Sequence, residues 1–306
     1  MIHIHNGDVV ATLAQRAGIP GEHAVYRESL ISGPILPGEQ WIESRAQALS
    51  SGEDLLRTRT SVLEQEQFLD AVSAKAAAGK GEIVLWFEHD LYCLIHLIYL
   101  LQRLGDAHLT LVWCPKPLNE NDDRELHLLF ESRTAVTPAM LNVAREVWRA
   151  YTSSDPRELN RFFVRDTPDF PFLREGLALH ASRFPSTTNG LGTIEQRLLT
   201  FVATGATEFS ALFGVFSNDL PRLGFGDDEI VATLQRMAWA AVPLVTLTGE
   251  PPKMIVTVTP AGENVLRGEV DDVRINDPDR WLGGVHLTKE NLWRYDEAAR
   301  QIVPSR

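Results

Sequence analysis

The chain holds little cysteine: two residues, Cys93 and Cys114, in 306. That excludes a disulfide framework and a cysteine-based zinc module. Cys93 lies in an apolar helical run and Cys114 ends a strand-like one, so both are expected as buried free thiols, suited to a reducing cytoplasm. Long apolar runs are missing too. The longest, Leu91 to Leu104, is interrupted by His96, Gln102 and Arg103 and falls short of the roughly 20 apolar residues of a membrane span. The opening Met1-Ile2-His3-Ile4-His5 has no basic region followed by an apolar one, which speaks against a secretory leader and for a cytoplasmic protein. Basic residues are outnumbered, 29 Lys and Arg against 41 Asp and Glu, for a formal net charge of -12. Such a balance gives no general attraction to a phosphate backbone, and specific DNA binding is not expected. There is no internal repeat and no low-complexity tract.

What remains is an ordinary globular composition, 44% hydrophobic and 23% charged, long enough for two domains with sizeable cores. Residues 1–115 alternate strand and helix signals. Strands are expected at 2–5, 23–27, 82–88 and 109–114, and helices at 9–17, 39–50, 61–78 and 91–104. Ser61 and Glu64 stand at capping-box spacing for the third helix. Strands separated by helices predict an α/β domain, a small parallel sheet flanked by helices. Residues 116–190 read as a helical connector. Asn119 to Arg124 is a loop, Thr137-Pro138 starts a helix running to about Tyr151, and another helix spans 171–183. Residues 191–306 carry three helical segments and then two β-rich runs around Gly249-Glu250-Pro251-Pro252. This winged-helix-like order is followed by an aromatic, glycine-rich tail that must dock on the rest.

The most informative stretch is Ile83-Val84-Leu85-Trp86-Phe87-Glu88-His89-Asp90. A buried strand ends in three ionisable residues and a helix follows at once, which places Glu88, His89 and Asp90 at a strand's carboxyl end, where open α/β sheets bind ligands. Carboxylate and imidazole there could act as general acid and base, or hold a divalent metal. Asp90 also sits where a helix N-cap belongs. Neighbouring strand residues point to opposite faces, so Glu88 and His89 do not both enter one pocket if the strand continues through them.

Asn6-Gly7-Asp8 closes the first strand and opens the first helix, a place where backbone can approach a ligand, with Asp8 as a candidate cap. It is neither a P-loop nor a three-glycine dinucleotide fingerprint, and it lacks an esterase serine. Arg27 and Glu28 close the second strand and should reach the same sheet edge, as a clamp for a carboxylate or phosphate or as an ion pair. His3 and His5 share a strand face, better read as packing than as a metal pair. His96 reads as a core histidine, and nothing near Cys114 predicts a lowered pKa. A docked tail would bring His286 or Arg280 to the site.

The strings His3 to Asp8, Ala17 to Gly21 and Trp86 to Tyr92 resemble the bacterial domain-of-unknown-function family eighteen-thirty-five. Phe184-Pro185-Ser186-Thr187 and Arg280 to His286 are similar to the partner domain often fused to it. The resemblance spans nearly the whole chain and implies no particular activity. Many members carry Asp where this chain has Cys93, which argues against a required acid there. The residues favour a protein binding a small molecule or a phosphate ligand, as an enzyme a hydrolase with a carboxylate/His site. A transcription-linked regulator or an interaction module using the winged helix is the alternative.

Overall fold

The computed structural model describes residues 1–50, 55–78, 81–105 and 107–305. In chain order the first half contains β1 (Ile2–His5), α1 (Asp8–Arg16), β2 (Glu22–Val25), α2 (Trp41–Leu49), α3 (Leu55–Ala77), β3 (Ile83–Glu88), α4 (Leu91–Leu104), β4 (Leu109–Cys114), α5 (Asp123–Glu131), β5 (Thr134–Ala135), α6 (Pro138–Tyr151) and α7 (Leu173–Ala181). The strands form one sheet in the order β2-β1-β3-β4-β5, parallel except for the antiparallel edge strand β5. The expected α/β class is borne out.

Side-chain alternation divides the core in two. Ile2, Ile4, Ile83, Leu85 and Phe87 face the larger cluster with α3, α4, α6 and α7. Val84, Trp86, Val112 and Cys114 face a smaller one with Val10 and Ala14 of α1 and Leu126 of α5. α4 is apolar almost all round because the sheet, α3, α6 and α7 surround it. A helix buried on every side has no polar face to keep. His3 and His5 lie on the α1 side. There His3 and His23 stack at 4.4 Å, His5 and His23 at 5.2 Å, and the Trp86 indole donates to His3 Nδ1. This is packing, as their alternation suggested.

Three local expectations are corrected. α3 already runs at Leu55, so Ser61 and Glu64 lie inside it. Asn119 to Arg124 does not stay a loop: Asp122 caps α5 by accepting from Glu125 N, while Glu125 accepts from Asp122 N. The sheet does not end at 115. β5 pairs with Thr110 and Leu111, and α6 packs on α4, so much of the expected connector belongs to the α/β layers.

The second half contains α8 (Thr193–Ala203), α9 (Phe209–Asp219), α10 (Asp227–Ala238), the antiparallel hairpin β6 (Val245–Thr248) and β7 (Ile255–Val258), α11 (Pro260–Leu266) and α12 (Asp272–Ile275). The tail is not irregular. It forms the hairpins β8 (Arg280–Leu282) with β9 (Val285–Leu287) and β10 (Trp293–Asp296) with β11 (Gln301–Pro304). The first hairpin docks by its turn: a Cβ at Gly283 would strike the Tyr151 carbonyl, and one at Gly284 the Thr152 carbonyl. Gly283 also has φ 63°, a region open chiefly to glycine. Among the described residues no helix is long and apolar enough to cross a membrane.

Candidate functional site

The strand order places a switch point between β1 and β3, since the chain continues from β1 toward one edge and from β3 toward the other. At such points the carboxyl ends of the strands leave a crevice. His5 pairs with Trp86 and Glu88 with Cys114, so β3 reaches two residues beyond β1, and Asn6 and Gly7 follow on beside its end.

Glu88 is the last residue of β3, half-buried, and accepts a hydrogen bond from the Leu118 amide in the turn after β4. Asn121 steadies that turn through the Pro117 and Leu118 carbonyls, at 3.1 and 3.0 Å. Two residues on, Asp90 is the N-cap of α4 and accepts from Cys93 N at 2.6 Å. The Glu88 and Asp90 carboxyls lie close together, with ligand oxygens within 4.8 Å of each other. Two ionised carboxylates this close repel each other, which favours a protonated form. Burial pushes Asp90 up to about 8, with the Glu88 charge adding to it, and burial also raises Glu88. Asp90 therefore stays protonated at neutral pH beside the Glu88 carboxyl.

Asn6 closes the crevice from β1. Its Nδ2 donates to Cys93 Sγ at 3.2 Å, while its buried Oδ1 has no hydrogen-bond partner. A buried acceptor of this kind is costly unless something donates to it. From the second half of the chain, Gly224 lies over Asp90. A Cβ there would come within 2.7 Å of Asp90 Oδ1 and 2.8 Å of Tyr92 Cβ, and its φ of 67° independently favours glycine. Gly224, Leu118 and Tyr92 carry no local sequence signal for this site, because each is placed by the fold from a distance.

Ligand atoms of Glu88, Asp90 and Cys93 all lie within 4.8 Å of one another, close enough for one cation. The chemistry of the set fits a cation poorly. Burial pushes the Cys93 thiol well above its ordinary range, so it is protonated rather than a ready thiolate ligand. The amino end of α4 adds positive potential. A proton suits these groups better.

The other expected residues are distributed differently. β3 ends at Glu88, and His89 turns away from it, stacks on Phe172 at 5.5 Å and lies 4.9 Å from Trp113. Burial and then the nearby Arg222 charge lower its pKa to about 4, so it is neutral at pH 7. Gly7, not Asp8, is the N-cap of α1. Asp8 instead forms an exposed ion pair with Arg27, an arrangement worth about 0–1 kcal/mol. Glu28 is committed to Arg45 at 2.5 Å in a fully buried pair. His286 pairs with Asp279 at 2.8 Å and stacks on Trp281.

No protein-family model matches the chain, and no curated protein matches it. Its function has to be read from these groups.

Proposed function

We propose that the protein binds a small polar ligand at the carboxyl edge of its sheet and moves a proton there through the Glu88–Asp90 pair, a site suited to hydrolysis. The observation that carries this reading is the close pair of carboxyls, Glu88 and Asp90, beside the unpaired Asn6 acceptor at the switch point. A carboxyl that gives up its proton near pH 8 can do acid–base work close to neutral pH. Asn6 Oδ1 offers an acceptor for a ligand hydroxyl or amide.

Glu88→Gln tests this directly, since it removes the charge, keeps the size and leaves an oxygen for the Leu118 amide. Wild type and variant are to be screened side by side with sugar phosphates, nucleotides and chromogenic ester and phosphoester substrates. Turnover by the wild type falling at least about a hundredfold in the variant, at an unchanged melting temperature, is the expected result. Equal turnover by both proteins would remove the proton-transfer role.

For the second half of the chain, α8 to α10 followed by the β6–β7 hairpin suggests a winged helix used for packing. α10 begins with Asp227, Asp228 and Glu229, and Glu229 accepts from Ser29 of the α/β half at 3.2 Å. Acidic groups at that end repel phosphates, and the docked helix is not free to enter a groove. Fluorescence titration with duplex genomic fragments at about physiological salt should give no saturable, sequence-dependent complex. A sub-micromolar specific complex would favour the regulator instead.

A further inference from the structure

A second candidate site lies where the two halves of the chain meet. A cavity of about 410 Å³ opens between the segment after β2, α10 and β8, within the size range of small-molecule sites. Arg183, Arg236 and Arg280 line it together with the aromatic rings of Phe225 and Trp281. Arg183 is only 6% exposed. Its Nη2 donates to the Ile31 carbonyl at 2.7 Å, and its Nε and Nη1 have no hydrogen-bond partner. Arg236 and Arg280 share one carboxylate, Glu195, and Arg280 Nε is unpaired as well. Three guanidiniums thus stand together, with Glu195 between two of them, Asp272 close by and three of their nitrogens unpaired.

A buried charge without a partner is costly, and a protein keeps one when something else supplies the opposite charge. The planar forks of arginine match the oxygens of a phosphate in pairs. The rings beside them suit a flat organic group, and Arg183 already lies over Phe225 at 5.3 Å. Asp228 and Glu229 also line the cavity and disfavour a long polyanion passing over it, so the arrangement selects a compact anion.

We infer that this interdomain cavity binds a phosphomonoester carrying a planar ring, of the nucleoside monophosphate kind, with its phosphate on Arg183, Arg236 and Arg280 and its ring against Phe225 and Trp281. The site is distinct from the Glu88–Asp90 crevice, although the chain joins them: Gly224, over Asp90, immediately precedes Phe225.

Titration calorimetry with adenosine monophosphate, adenosine and inorganic phosphate on the full chain tests the inference. Two variants spare the fully buried Arg183: Arg236→Gln, at a half-exposed position, and Ala232→Glu, which adds a carboxylate to an exposed wall residue without removing anything from the core. The expected result is saturable binding of the monophosphate, weaker binding of inorganic phosphate and none of adenosine. Both variants should weaken monophosphate binding at least about tenfold with near-wild-type melting curves. Three results would overturn the inference: no saturable heat at millimolar monophosphate, adenosine or inorganic phosphate binding as tightly as the monophosphate, or affinities that neither substitution changes.

Discussion

Asp90→Asn is expected to stabilise the protein at pH 8–9 while removing its function. The sign follows from the raised carboxyl. In the unfolded chain Asp90 loses its proton near 3.8, whereas in the folded protein it keeps it to about 8. Between those values the folded state binds more protons. The stability this contributes is complete below about pH 4, falls as pH rises and levels off above about 8. Asparagine never ionises and still accepts from Cys93 N as an equally good N-cap. The variant should match the wild type below about pH 4 and exceed it by roughly 2–4 kcal/mol at pH 8.5. His3, His5, His89 and His96, all lowered chiefly by burial, act in the opposite sense, costing stability as pH falls below about 6.5. They are common to both proteins and cancel in the comparison. Urea denaturation at pH 4 and 8.5 measures the difference. A pH-independent effect, or destabilisation at both values, would mean that Asp90 is only a cap.

The second large effect is expected at Arg45. Its guanidinium is wholly buried, pairs with Glu28, and donates to the carbonyls of Ser29, Ser32 and Pro34 at 2.8 to 3.0 Å. It fastens the chain between β2 and α2, which supplies Ser29, Ser32 and Gly33 to the arginine-lined cavity. Arg45→Met leaves a buried carboxylate and three carbonyls without their donor. Breaking such a pair from one side costs roughly 3–5 kcal/mol. Adding Glu28→Gln should recover part of the loss, since it removes the stranded charge. A denaturation midpoint in the single variant close to wild type would show that the pair contributes little.

Legibility in the sequence followed the range of the interactions. β3 and α4 were plain because an apolar run stops at Glu88 and a capping Asp opens the next helix within two residues. Short-range competition misled elsewhere: the same polar residues, Asp122 and Glu125, that suit a loop also form a capping box and start α5. β5 and the tail hairpins are two to four residues long and exist only through their partners, so no periodicity marks them. The site was half legible for the same reason. Glu88, Asp90 and Asn6 lie at strand ends that a parallel sheet must bring together. Gly224 is delivered by the second half of the chain. Arg27 and Glu28 do not close β2, which ends at Val25; Glu28 lies in the segment after it, and its partner Arg45 is 17 residues on, in a helix with no distinguishing pattern. Arg280 was a candidate only through the docked tail. The contact of Arg183 with Ile31 spans 152 residues and leaves no trace in either local sequence.

The proton held by Asp90 is the centre of the account, and carbon-13 NMR of the labelled side-chain carboxyls measures it. Spectra collected from pH 5 to 9 on wild type and on Glu88→Gln should reveal one carboxyl resonance in the wild type that remains protonated at pH 7 and titrates near 8. In the Gln variant, where the neighbouring charge is gone, that resonance should shift its titration or disappear into the background. A wild-type spectrum in which every carboxyl is ionised by pH 6 would contradict the account.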